Sequence, residues 1–141
     1  MTHSDSVTIR VIGEPAPQGS KKHVGHGVMI ESSKKVKPWR LAVAWAAREA
    51  GIHVPGPVEV EMVFTLRKPT SAPKRRKTWP DKKPDADKLC RAVFDSLVTA
   101  GAIEDDARVV QLVALKVFPG EHPDALDVPG AVIRIRRMEE Q

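Results

Sequence analysis

Two knots of acid flank an apolar stretch in KPDADKLCRAVFDSLVTAGAIEDDARVV, residues 83–110: Asp85 and Asp87 at one end, Glu104, Asp105 and Asp106 at the other. Carboxylates drawn together without a cation repel one another and raise their own pKa values. With Mg²⁺ or Mn²⁺ they form a hard-oxygen site, and such an ion activates water and offsets the charge of a phosphate under attack. Simpler roles compete with this one. Asp85 suits a helix N-cap, Asp87 a first-turn acid favoured by the helix dipole, and Asp87, Arg91 and Asp95, spaced by four, an exposed ion-pair ladder.

The elements around the acids decide whether they can meet. Pro84 disfavours helical angles at Lys83. The spacing of Leu89, Cys90, Val93, Phe94 and Leu97 predicts a helix over 85–100, stopped by Gly101. Such a helix is roughly 20 Å long at 1.5 Å per residue. Asp85 and Asp106 therefore flank opposite ends, and periodicity does not bring them together. They meet if the chain runs back beneath the helix before Val109, or if a second subunit supplies one of them. Asp105 and Asp106 are equivalent candidates by spacing.

The other elements follow from period and punctuation. VTIRVI, residues 7–12, and VEVEMVFTL, residues 58–66, alternate apolar and polar as half-buried strands do. Residues 109–117 and 131–135 also read as strands, and 28–30 as a short one after the glycine-rich HVGHG. Residues 38–50 read as a helix with Pro38 in its first turn and Gly51 at its stop. Residues 67–84 form a loop with four prolines, and PGEHPDALDVPG another. The expectation is one α/β (α+β) domain over 1–141, a small mixed sheet covered by two main helices.

Composition narrows the partners. With 23 Lys and Arg against 18 Asp and Glu, the 141 residues carry a net charge of +5. The basic residues gather at Lys21, Lys22, Lys34, Lys35, Lys37 and Arg40; at Arg67, Lys68, Lys74, Arg75, Arg76, Lys77, Lys82 and Lys83; and at Arg134, Arg136 and Arg137. Two of the groups fall in loop-like segments, which suit a phosphate backbone. No apolar run reaches the length of a membrane span, and the N-terminus MTHSDSVTIRVIGEP shows no signal peptide. Cys90, the only cysteine, excludes an internal disulfide and a cysteine-rich zinc site, and fits a reducing cytoplasm. No glycine-rich nucleotide loop is present, so no nucleotide cofactor is expected.

Other constellations carry less. His23 and His26 lack cysteine partners for zinc. Pro84-Asp85 is not followed by an acid-x-Lys element, the mark of another nuclease fold. Trp39 and Trp45 read as core or dimer contacts, and Trp79, in the basic loop, as the better base-stacking candidate. Ser20, beside Lys21 and Lys22, fits a phosphate contact or an ordinary turn.

Pro84-Asp85-Ala86-Asp87, the segment Arg91-Ala92-Val93-Phe94-Asp95-Ser96-Leu97, Gly101 and Glu104-Asp105-Asp106-Ala107-Arg108-Val109 resemble the RusA family of Holliday-junction resolvases in type and spacing. The resemblance implies a compact α/β homodimer, a Mg²⁺-dependent endonuclease (Mn²⁺ a possible substitute) that places paired symmetric nicks in branched DNA. It implies a host cytoplasm if the gene is phage-borne. It carries the essential aspartates onto Asp85, Asp87 and Asp106, with Asp105 the alternative third ligand, and the functional lysine onto Arg91. Two positions depart from the pattern: Lys88 stands where the family has asparagine, and Arg91 where it has lysine. Arginine keeps the charge and grips phosphate through two hydrogen bonds, but does not readily lose a proton. A clamping role survives the change and a proton-transfer role does not. Lys21, Lys22, Lys74, Arg75, Arg76, Lys77 and Lys88 are the expected DNA contacts. Two other functions fit the same residues: a metal nuclease acting on flaps or other replication intermediates, and a silent branched-DNA-binding protein.

Overall fold

The computed structural model describes residues 6–19, 22–24, 28–30 and 34–139. The alternating segments form strands β1 (Ser6–Ile12), β4 (Val58–Thr65), β5 (Val109–Val117) and β6 (Gly130–Arg137). They make one mixed sheet in the order β1-β6-β4-β5. β6 runs antiparallel to both β1 and β4, while β5 runs parallel to β4. The parallel pairing is possible because a helix lies between the two strands in sequence, as a crossover requires.

One face of the sheet is apolar because the alternation of each strand is in register with its neighbour. Val60 stands opposite Ile135, Met62 opposite Ile133 and Phe64 opposite Ala131, all fully buried. Two helices cover this face, α1 (Val36–Glu49) and α2 (Ala86–Thr99). Trp39, Val43 and Ala47 of α1, and Leu89, Val93 and Leu97 of α2, fill the core against it. Gly101, at φ +77°, turns the chain out of α2. The opposite face is tied by charge: Arg134 meets Glu61 and Asp124, and Arg136 meets Glu59.

The expected single domain with a small mixed sheet and two covering helices is what the structure shows. α2 matches its expected bounds, with Asp85 and Ala100 as its caps, and β5 matches residue for residue. One element escaped the sequence pattern. β2 (Lys22–Val24) pairs antiparallel with β3 (Val28–Ile30), so His23 lies in a hairpin strand and not in a glycine-rich turn. Three residues without clear alternation leave no period to read. Ser20, Lys21 and His26 lie outside the described residues. No helix among the described residues is long and apolar enough to cross a membrane.

Candidate active site

The first acid pair sits at the N-terminal end of α2. Lys83-Pro84, joined by a cis peptide bond, leads into Asp85, which holds the N-cap position with extended backbone angles. An aspartate there normally caps by accepting a backbone N–H of the first turn. Asp85 makes no such bond. Its charged neighbour is Lys88, at 3.5 Å. Asp87 is exposed one turn before Arg91 and forms no ion pair among the described residues; neither does Arg91. The ladder of Asp87, Arg91 and Asp95 does not form. Asp95 instead faces Arg40 of α1, at 3.9 Å. Burial, and secondarily the charge of Asp87, push the Cys90 thiol up to about 11, so Cys90 stays a neutral core residue at pH 7.

The second knot divides its labour. Glu104 accepts the Gly56 N–H at 3.0 Å and pairs with Arg108 at 3.3 Å. Asp105 caps a short 3-10 helix, Asp106–Arg108, by accepting the Ala107 N–H at 3.2 Å. Asp106 has no such employment. It lines a groove of about 420 Å³ between the helices with Lys37, Arg40 and Arg48 of α1 and Asp95 and Thr99 of α2. Spacing left Asp105 and Asp106 equivalent; in the structure one oxygen of Asp105 accepts the capping N–H, while Asp106 accepts none there.

The three unspent carboxylates do not meet in one chain. α2 has 14 residues and so spans roughly 21 Å, with Asp85 and Asp87 at its start and Asp106 beyond its end. Among the described residues no three His, Cys, Asp or Glu side chains lie close enough to hold an ion. A single subunit therefore does not fit a three-carboxylate metal centre.

The basic loop builds a second feature, which no local pattern announces. Residues 67–84 wrap an open cleft of about 750 Å³ floored by Leu66 and Phe118 and walled by Arg67, Arg76, Lys77 and Trp79. Its last lining residues, Lys82, Lys83 and Pro84, lead straight to Asp85. Lys68 holds the loop in place. It bonds Glu121 and the Arg76 carbonyl and lies 5.5 Å from the centre of the Phe118 ring. Glu121 also accepts the Thr78 N–H at 3.0 Å. The Lys68 hydrogen bond keeps the Glu121 carboxyl below its ordinary range. Lys77 stands 4.6 Å from the centre of the Trp79 ring, and Trp79 is 52% exposed. Lys74, Arg75, Arg76 and Lys77 are all exposed and in no ion pair among the described residues. The third basic group fares otherwise: Arg134 is neutralised by Glu61 of β4 and by Asp124 of the loop before β6, and Arg136 by Glu59 of β4. Trp39 is core, as expected, whereas Trp45 is exposed.

A family model described as endodeoxyribonuclease RusA matches residues 13–135, a span that contains both acid knots, the basic loop and all of the four-stranded sheet except β1 and the last two residues of β6. None of the curated proteins compared with the chain matches it.

Proposed function

Because the chain belongs to the RusA family of endodeoxyribonucleases, we propose that it is a metal-dependent nuclease that resolves four-way DNA junctions by paired symmetric nicks. The observation that supports this most is the pattern of free and occupied acids. Glu104 and Asp105 serve the backbone, while Asp85, Asp87 and Asp106, the positions matching the family's essential aspartates, have no capping bond. Nucleases of this family generally use a divalent metal; for carboxylate-only donors the ion is Mg²⁺, with Mn²⁺ as a substitute. The protein acts in the cytoplasm, or in a host cytoplasm if phage-borne.

The remaining residues hold the strand. Lys74, Arg75, Arg76 and Lys77 contact phosphates, and Lys21 and Lys22 are further phosphate contacts expected from the sequence. Arg91, one turn from Asp87, clamps the phosphate to be cut with two hydrogen bonds and donates no proton. The cleft beside Asp85 has the volume and the aromatic wall to take an unstacked base against Trp79, next to the point of cleavage. Incubation with a synthetic four-way junction, a flap and plain duplex tests the reading. Cleavage of the junction with Mg²⁺, and none in EDTA, is expected. Cleavage that persists in EDTA, or none on any substrate, overturns it, and preference for the flap moves the function to replication intermediates.

Two substitutions probe the assignments separately. Replacing Lys74, Arg75, Arg76 and Lys77 together by alanine weakens binding to all DNA. The slope of log affinity against log salt becomes shallower by about 0.9 for each phosphate on the duplex arms that is no longer neutralised; an unchanged slope assigns these residues to bare surface. Lys88→Asn removes an ammonium group from beside Asp85 and restores the family's residue. A like charge at that range opposes cation binding by about 1 kcal/mol in water. The Mg²⁺ concentration for half-maximal activity therefore falls roughly fivefold at low salt. No change in that concentration places Lys88 outside the field of the metal.

A further inference from the structure

We propose that Glu121, which lies outside the acid site, is a positioning residue for DNA: its carboxylate clasps the basic loop on both sides of Lys74, Arg75, Arg76 and Lys77 and so presets these four cations for phosphates. The proposal rests on the nuclease reading for the identity of the ligand, and on the hydrogen bonds of the loop for its geometry.

The loop does not hold itself. Residues 67–84 carry eight Lys and Arg against Asp81 alone, so like charges drive the segment apart. Among the described residues, one backbone hydrogen bond forms within it, from the Ala72 N–H to the Pro69 carbonyl at 3.0 Å. The rest of its backbone groups need partners from elsewhere. Lys116 of β5 supplies one at the end of the loop by donating to the carbonyls of Lys82 and Pro84, both at 2.8 Å. Glu121, between β5 and β6, serves the stretch that bears the four exposed cations.

Each carboxylate oxygen of Glu121 takes one side of that stretch. Oε2 accepts from the Lys68 ammonium, and Oε1 from the Thr78 N–H at 3.0 Å. Lys68 completes the ring by donating to the Arg76 carbonyl at 3.1 Å. Glu121 is anchored in turn, since its own N–H donates to the Phe118 carbonyl, just after β5, at 3.1 Å. The side chains of Lys68 and Glu121 are 15% and 18% exposed. Lys68 is therefore engaged by the clasp and turned from solvent, whereas Lys74, Arg75, Arg76 and Lys77 face it.

Charge and position predict opposite signs. A carboxylate close to bound DNA repels phosphate, so by field alone its removal tightens binding. As a clasp, the same carboxylate orders long cationic side chains in advance, and its removal shifts the cost of ordering them onto the binding step.

Glu121→Gln separates the two, because glutamine keeps the shape and loses the charge that holds Lys68. Binding to a labelled four-way junction is measured in EDTA. The affinity falls roughly tenfold, which matches the ordering of one or two long side chains on binding. The slope of log affinity against log salt keeps its wild-type value, because the same cations still reach phosphate. Asp127→Asn removes an exposed charge from the same connection without touching the clasp, and leaves binding unchanged or tighter. Lys68→Met opens the clasp from its other side; combined with Glu121→Gln, it binds no more weakly than the weaker single variant. Without DNA, trypsin cuts the loop of either variant roughly tenfold faster than that of wild type, as a larger open population requires. Glu121→Gln that binds as tightly as wild type or tighter refutes the clasp and leaves the nuclease reading standing. So does a salt slope shallower by about 0.9 in Lys68→Met, or trypsin cleavage that does not change. Wild type that binds no DNA refutes both readings. Wild type that binds the junction but cuts nothing, with Glu121→Gln still binding more weakly, refutes the nuclease reading and upholds the clasp.

Discussion

Asp85→Asn, Asp87→Asn and Asp106→Asn each abolish Mg²⁺-dependent cleavage of a four-way junction while leaving its binding in EDTA unchanged or tighter. Asparagine keeps the size of aspartate and caps a helix almost as well, so a structural aspartate tolerates the change. A metal ligand does not, because the negative charge that holds the ion is gone. Loss of even an outer partner of a metal ligand costs about 10- to 100-fold, so loss of a ligand costs roughly a hundredfold or more. Binding without metal improves for the opposite reason: a carboxylate facing phosphate repels it until a cation intervenes. Two controls sharpen the comparison. Asp105→Asn keeps its activity, because its carboxylate caps the 3-10 helix and asparagine also caps. Asp95→Asn keeps it too, since that residue faces Arg40. Kinetics with short duplex arms and metal in excess measure all five variants, and activity surviving the first three rejects the metal site.

Charge placed on the β5 edge has the second large effect. β5 is the sheet's edge strand and exposes Val110 and Leu112, so it is the surface on which we expect two copies to pair, and Val110→Lys with Leu112→Lys puts two like charges on each subunit there. No core packing is disturbed, because both side chains are exposed in the single subunit. The variant folds with near-normal thermal stability, runs as a monomer in light scattering at micromolar concentration, and loses cleavage together with dimerisation. Junction binding persists through the basic loop, weakened by the absence of the second copy. A variant that stays dimeric, or a monomer that cuts at the wild-type rate, places the interface elsewhere. Trp45, exposed on α1, is then the next surface to examine.

How far the sequence foretold this arrangement depends on the range of the interaction. Elements governed by local period were readable: the alternation of VEVEMVFTL gave β4 within one residue of its end, and the apolar spacing from Leu89 to Leu97 gave α2. The free acids were readable as types, through their spacing. Their employment was not. Whether Asp105 or Asp106 is occupied depends on one backbone N–H two residues away, which a carboxylate at either position has the chemistry to accept. Long-range partners were also hidden. Arg134 counted only as one of a basic group until Glu61, opposite it in the ladder, and Asp124 neutralised it. The cleft behind Trp79 needs Phe118, which is distant in sequence, and the strut from Lys68 to Glu121. The exposed edge of β5 follows from sheet order alone, for its sequence is as apolar as that of a central strand.

The most direct measurement of the account is the position of Mn²⁺ in crystals of the protein, located by anomalous scattering at the manganese edge. Because the three aspartates do not meet in one chain, two peaks are expected for each symmetric pair of chains. Each lies about 2.2 Å, the distance expected for a metal–carboxylate bond, from oxygens of Asp85 and Asp87 of one chain and Asp106 of its partner. Manganese bound at Asp106 alone, or in the groove between the helices with Asp95, or absent from all three aspartates at saturating concentration, contradicts it.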